Sequence, residues 1–366
     1  MSKYAVDFLA QMLKIYSPTG EEEELANFLQ SSMKRLGFKV RIDGAGNVIG
    51  EIGKGRPVTL LCGHMDTVPG QIPVRRVGNR LFGRGAVDAK GPLAAMILGA
   101  AEFARRKKSG KVIVAGVVQE EGVSKGIKAL LRSGVRADYA IFGEPSSSGK
   151  ITVGYRGRAE IKITCRSTGG HAGAPWMYMS AVEEAHQIWS NIKHHHFKGQ
   201  RIDKRFYTVS TCLTRIKGGE AGNVVPTICE MIIDVRVPPQ LTTKSVLKEI
   251  RQILTNYEAR TGLEASMIVE DHMEPFESSA DSPLVRAFRQ AIRDETKRPA
   301  KLIKKTGASD MNLFGTKYRI PIVAYGPGNP IVEHTLNEYI EAPEFLTSIR
   351  VIRRALENLS ESFGKG

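Results

Sequence analysis

An apolar run, Val58-Thr59-Leu60-Leu61-Cys62, breaks at Gly63 and delivers a histidine and a carboxylate two residues apart, His64 and Asp66. A carboxylate near a metal-binding imidazole fixes its tautomer and raises its basicity, so the pair has the make-up of a ligand and its support. Two later apolar runs end in the same kind of residue: Lys111–Val118 leads into Glu120-Glu121, and Asp138–Phe142 into Gly143-Glu144. Asp88 stands just ahead of a long apolar helix, where capping would be its ordinary structural role. His334 follows the last apolar run, Ile320–Tyr325. Taken singly, each of these is a polar turn leaving a strand. Taken together they supply what a hydrolytic metal site needs: imidazole and carboxylate ligands, an open position for water and a separate base. Glu120 and Glu121 can divide ligand from base, because neighbouring side chains at a strand end diverge.

Positioning these residues requires strands that finish on one edge. The runs at 57–62, 111–118 and 138–142 lack polar alternation, which is the pattern of central parallel strands buried on both faces, and ligands bind at the carboxyl ends of such strands. Helices are expected at 4–16, from Glu21 to Gly37, from about Asp88 to Arg105, and over 122–133, 282–296 and 342–362, with a turn at Thr306–Asp310. Between about 151 and 267 the texture changes to long alternating strands, as in Glu160–Cys165 and Thr227–Arg236, with helices at about 180–195 and 243–259. The expected architecture is therefore α/β: a mixed-sheet catalytic domain made of 1–153 and 268–366, with an α+β domain of 154–267 inserted. His194-His195-His196 falls at a helix end, where consecutive positions splay about the axis, and reads as surface.

Composition narrows the class. With 366 residues, 42% hydrophobic and 25% charged, the chain is long enough for two globular domains. No apolar run approaches a membrane span and the N-terminus lacks a secretory layout, so a cytoplasmic protein with no membrane partner is expected. Cys62, Cys165, Cys212 and Cys229 are scattered with no C-x-x-C pair, as expected of free thiols. The net charge of +15 favours acidic partners. The basic residues form short clusters without interleaved aromatics or a nucleic-acid motif, so an acidic substrate or protein partner is expected rather than nucleic acid.

The order of motifs is more specific than any one of them. His64-x-Asp66, Gly83-Arg84-Gly85 through Asp88-x-Lys90-Gly91, Glu120-Glu121-Gly122, Gly143-Glu144-Pro145, Gly170-His171, Gly218-Gly219 through Asn223-Val224-Val225-Pro226, and Gly326-Pro327-Gly328 through His334 follow one another along nearly the whole chain. The series resembles the dinuclear-zinc aminoacylase and carboxypeptidase family that includes acetylornithine deacetylase and succinyl-diaminopimelate desuccinylase. The resemblance implies a zinc-peptidase-like catalytic domain with a lid and dimerisation domain inserted in it. It also implies two zinc ions, replaceable by cobalt or manganese. His64 and Glu144 would hold one ion, Glu121 and His334 the other, with Asp88 shared. Asp66 would orient His64, and Glu120 would move the proton from the attacking water to the leaving amine. His171 would stabilise the oxyanion from the partner subunit of a homodimer, and Asn223 and Arg236 would bind substrate.

The segments His64–Arg75, Gly85–Pro92 and Val153–Gly157 are most similar to the branch that releases lysine or ornithine from an acidic amino-group carrier protein in lysine and arginine biosynthesis. A deacetylase of acetylornithine or acetyl-lysine, or a dipeptidase, would keep the same metal residues. A nucleic-acid-binding protein on an inactive hydrolase scaffold is the alternative from another class.

Overall fold

The computed structural model describes residues 2–364, which divide into two units. The first unit comprises the chain up to Gly154, Ser278–Lys304 and the chain from Ser309 onward; the second is Tyr155–Glu277 with Lys305–Ala308.

The first unit opens with α1 (Ser2–Lys14) and α2 (Glu23–Arg35). Each buries one apolar stripe, Phe8, Leu9, Met12 and Leu13 on α1 and Leu25, Leu29 and Met33 on α2. The strands β1 (Lys39–Ile42), β2 (Val48–Lys54) and β3 (Val58–His64) follow, then a short hairpin of β4 (Arg75–Val77) and β5 (Arg80–Phe82). Next come α3 (Lys90–Arg105), β6 (Gly110–Val117), α4 (Lys125–Arg132), β7 (Tyr139–Phe142) and β8 (Lys150–Tyr155). β3 pairs in parallel with β6 on one side and β7 on the other. This is why its residues from Thr59 to His64 are all buried and why an unbroken apolar run encodes it.

The second unit contains β9 (Gly157–Arg166), β10 (Gly170–His171), α5 (Ala181–His194), β11 (Ser210–Gly218), β12 (Val224–Val225), β13 (Ile228–Val237), α6 (Thr243–Thr261), β14 (Glu264–Met273) and β15 (Phe276–Glu277). An antiparallel sheet of order β11-β13-β9-β14 buries one face under the two helices. β13 alternates strictly between half-buried and buried residues, and Cys229, Met231, Ile233, Val235 and Val237 meet Ala159, Ile161, Ile163 and Cys165 in that core. The other face is a charged lattice, with Arg158 paired to Glu160 and Asp234, and Lys162 to Glu230. The exit expected near 267 falls inside β14, whose pairing with β9 carries the second unit on to Glu277. Cys62, Cys165 and Cys229 are buried, whereas Cys212 is exposed because β11 is an edge strand.

The first unit resumes with α7 (Pro283–Thr296), β16 (Lys301–Lys305), α8 (Asp310–Lys317), β17 (Ile322–Ala324), β18 (Tyr339–Glu341) and α9 (Ala342–Ser362). β17 adds in parallel to β7, and β8 adds antiparallel to β17. β6, β3, β7 and β17 thus run the same way, and their carboxyl ends lie on one edge of the sheet. A bend at Thr306-Gly307 stands at the expected turn, and α8, which was not expected from the sequence, follows it, opened by a capping box between Ser309 and Asn312. β18 pairs with β5 to make a separate three-stranded sheet of order β18-β5-β4. Among the described residues no helix is long and apolar enough to cross a membrane.

Candidate metal centre

His64 is the last residue of β3 and is 3% exposed. Its Nδ1 lies 2.9 Å from the backbone carbonyl of Asp66, which can only accept, so Nδ1 carries a proton and Nε2 faces the Asp88 Oδ1 at 3.1 Å. The Asp66 carboxylate stands off at 3.5 Å from Nδ1. It accepts instead from the Thr19 hydroxyl at 2.9 Å and from the backbone N–H groups of Glu120 and Glu121, each at 3.0 Å. Asp66 therefore meets His64 through its main-chain carbonyl and, at longer range, its carboxylate, and the same carboxylate fixes the two glutamates.

Asp88 does not cap a helix: Ala89 occupies the N-cap of α3, and the Asp88 carboxylate divides its oxygens between two imidazoles. Oδ1 faces His64, and Oδ2 lies 3.0 Å from the Nε2 of His334, which also lies 2.8 Å from the Glu121 Oε1. One donor atom each from His64, Asp88 and Glu121 lies within 4.8 Å of the others. Glu144 follows β7 and, with Asp310 and Glu121, adds negative charge around Glu120. His334 sits in left-handed backbone at φ 61°, a conformation that costs a β-carbon residue energy and clusters at functional sites.

The protonation pattern follows from this crowding. Burial opposes charge on His64, but its bonds to Asp66 and Asp88 outweigh burial and hold the imidazole well above its ordinary range. Asp88 and Glu121 push His334 up to about 10. For Asp88, burial acts upward, yet His334 and His64 hold it well below the usual carboxylate range. Burial, followed by the charges of Glu144, Asp310 and Glu121, pushes Glu120 well up against the pull of His64. Without cations the cluster balances its acids with two imidazolium protons placed between carboxylates. Nitrogens and oxygens of this kind ligate divalent cations, and His64, Asp88 and Glu121 form a candidate metal site in which one carboxylate is aimed at two imidazoles.

Metal loading must displace those protons. At pH 7 at least two are expected to be released per chain, read as the dependence of calorimetric binding heat on buffer ionisation enthalpy; no release would contradict this charge pattern. The sign for the metal-free fold is also set. Because His334 is raised from 6.5 to about 10, the stability it contributes is full below about pH 6.5 and is lost as pH rises through 10.

Several supporting residues were not singled out from sequence. Glu338, fully buried, accepts from the backbone N–H groups of Val87 and Asp88 at 2.9 and 3.1 Å and pairs with Arg84 at 2.9 Å. Arg84 also donates to the carbonyls of Gly70 and Thr335, so this pair ties the Asp88 segment to the His334 loop. Removing one partner of such a buried pair strands the other, and Glu338→Ala is expected to destabilise the fold by about 3–5 kcal/mol. Urea denaturation checks this, with Glu338→Gln, which keeps the acceptor oxygen, losing less. Asp310, at the start of α8, is buried with no hydrogen-bond partner for either carboxylate oxygen; the Ser124 hydroxyl is near enough to favour ionisation without meeting hydrogen-bond geometry. Burial raises it to about 7. Nothing in the local pattern Gly307-Ala308-Ser309-Asp310 distinguishes it from an ordinary helix start.

The remaining candidates lie in the second unit and are placed only within it. His171 is exposed on β10, which pairs with β12, and its Nδ1 accepts from the Gly173 N–H at 2.9 Å. In the neutral ring Nε2 is then the donor. Asn223 is exposed, and its carbonyl accepts from Ala172 at 3.0 Å. Arg236 points two of its donors at Asp234, at 2.6 and 3.3 Å, so only its other N–H groups are left for a substrate.

The family model described as Peptidase family M20/M25/M40 matches residues 60–358. A Sulfurisphaera tokodaii protein named LysW-lysine/LysW-ornithine hydrolase is 34% identical over 96% of this chain and 95% of its own. A Deinococcus radiodurans protein named LysW-lysine hydrolase is 32% identical over 97% of each. Among solved structures, an aminopeptidase PepT from Bacillus cereus superposes with a TM-score of 0.85 at 21% identity, covering 98% of this chain and 99% of that one. A Bacillus subtilis protein described as a dinuclear metal-binding M20 peptidase gives 0.76 at 16% identity, covering 98% of each. These two share the fold.

Proposed function

The chain belongs to peptidase family M20/M25/M40, and from that premise we propose that it is a metal-dependent amide hydrolase that frees lysine or ornithine from an acidic amino-group carrier protein. The observation that carries the hydrolytic reading is the placement of Asp88 between His64 and His334, at 3.1 and 3.0 Å. The substrate reading is supported by the two nearly full-length relatives whose names specify LysW-linked lysine, one of them ornithine also.

His64 and Glu144 would hold one ion and Glu121 and His334 the other, with Asp88 available to both. A bound pair of zinc, cobalt or manganese ions would polarise the scissile carbonyl and acidify water. Glu120 takes a proton from the attacking water and delivers it to the leaving amine. Asp66 fixes where Glu120 stands, because it accepts that residue's backbone N–H. We carry forward His171 as the donor to the oxyanion, supplied across a homodimer, and Asn223 and Arg236 as substrate-binding residues. The local support is the Nε2–H donor form of His171 and the exposure of its hairpin.

The test is a comparison of kcat/KM for carrier-linked lysine, carrier-linked ornithine, N-acetylornithine and a free dipeptide with the zinc- or cobalt-loaded protein. The carrier-linked substrates are expected to lead by at least tenfold. Preference for acetylornithine or the dipeptide would replace this substrate with that of another branch.

A further inference from the structure

The three-stranded sheet β4-β5-β18 has two unlike faces. Its register places Arg75, Phe82 and Tyr339 in one row and Val77, Arg80 and Glu341 in the next, all on one face, with Arg76, Leu81 and Ile340 on the other. Leu81 and Ile340 are buried, so the first face is the outward one. On it Phe82 and Tyr339 pack at 5.3 Å, the Arg75 guanidinium lies 4.2 Å over Phe82, and that of Arg80 4.5 Å over Tyr339. Arg80 pairs with Glu341, whereas Arg75 and Arg76 have no carboxylate within ion-pair distance among the described residues. Val77 is exposed at the rim. Arginine over paired aromatics is the composition of a recognition surface, not of a solvated sheet face.

Charge selects the partner. Of the 53 Lys and Arg, 36 lie in the first unit, together with 24 of the 38 Asp and Glu, so that unit carries +12 of the +15. Six of those acids, Asp66, Asp88, Glu120, Glu121, Glu144 and Asp310, are gathered at the metal centre, which leaves the rest of the unit more basic still. The sheet is also continuous with that centre. β5 runs into Arg84, which is ion-paired to Glu338 just before β18, and Glu338 holds the backbone of Asp88. The intervening loop carries His334 and exposes Ile331 and Leu336, each 81% accessible.

We propose that the outward face of this sheet, centred on Arg75, is the docking surface for an acidic protein, and that this protein is the carrier portion of the substrate. The proposal rests on the functional reading above. Docking there sets the partner beside the His334 loop while the arginines and aromatics hold its body. Arg75 supplies an unneutralised charge for steering, and the stacked rings supply area that excludes water.

The experiment compares wild type with Arg75→Glu/Arg80→Glu, both on the outward face, at low ionic strength. The double variant is expected to raise KM for carrier-linked lysine roughly tenfold with kcat within about twofold, and added salt to raise the wild-type KM toward the variant's. KM for N-acetyl-lysine, which lacks the carrier, is expected to stay put. Arg75→Lys, which keeps the charge and loses the planar stacking, is expected to fall between. Affinity for the lysine-free carrier, followed by fluorescence anisotropy, reads the surface independently of turnover and is expected to weaken by the same factor. An unchanged carrier affinity, or an equal rise in KM for both substrates, overturns the proposal. Loss of single-stranded RNA binding in the double variant with carrier affinity unmoved overturns it too, by assigning the face to another partner. Failure of the wild type to cleave carrier-linked lysine while still binding the carrier here would instead sink the functional reading.

Discussion

Glu120→Gln is expected to lower kcat by roughly a hundred- to ten-thousand-fold while the protein still binds its full complement of metal. Three observations separate Glu120 from the ligands. Its neighbour Glu121 is the residue whose oxygen joins His64 and Asp88 in the tight donor cluster. Its own backbone N–H is held by Asp66, so glutamine can occupy the same place. Its carboxyl is pushed well up by burial and by surrounding acids, and divalent cations nearby would bring it back toward the range in which a base is ionised at neutral pH. Glutamine keeps the shape and cannot take the proton. Activity measured beside metal content by elemental analysis checks this; near-wild-type turnover would remove Glu120 from the chemistry.

Asp88→Ala is expected to abolish detectable hydrolysis and to lose bound metal, a larger effect than removing any single terminal ligand. Both carboxylate oxygens are committed, one to each imidazole, so alanine deletes the group that joins the two halves of the site. It also strips His64 and His334 of a counter-charge, and the pKa of each is expected to fall toward 6.5. NMR titration of the metal-free variant reads that shift directly, and metal analysis reads the loss of ions. Retention of two equivalents of metal by Asp88→Ala would contradict the shared-ligand assignment.

How much of this was legible in sequence depends on whether each feature is local. β3, β6 and β7 could be read because burial on both faces leaves an unbroken apolar run, and their ends carry His64, Glu120-Glu121 and Glu144. The parallel pairing then put those ends on one edge. The strands β4, β5 and β18 were not recognised, because each has three residues and the pairing of β5 with β18 joins positions more than 250 apart in the chain. Glu338 and Asp310 escaped for a related reason. Glu338 braces backbone at Val87 and Asp88, and Asp310 is buried near groups of distant segments such as His64 and Ser124, so in a linear reading each looks like any polar residue in a turn. The Asp66 carboxylate, which the two-residue spacing set beside His64, lies 3.5 Å from its Nδ1; what a linear reading could not supply are its further bonds from Thr19 and the backbone of Glu120 and Glu121.

The most direct measurement on the central claim is a titration of metal-free protein with zinc, following hydrolysis of carrier-linked lysine and bound metal together. Binding is expected to saturate at two ions per chain, with full activity reached only at the second. Full activity at one ion, or activity indifferent to zinc and to its removal by a chelator, would contradict it.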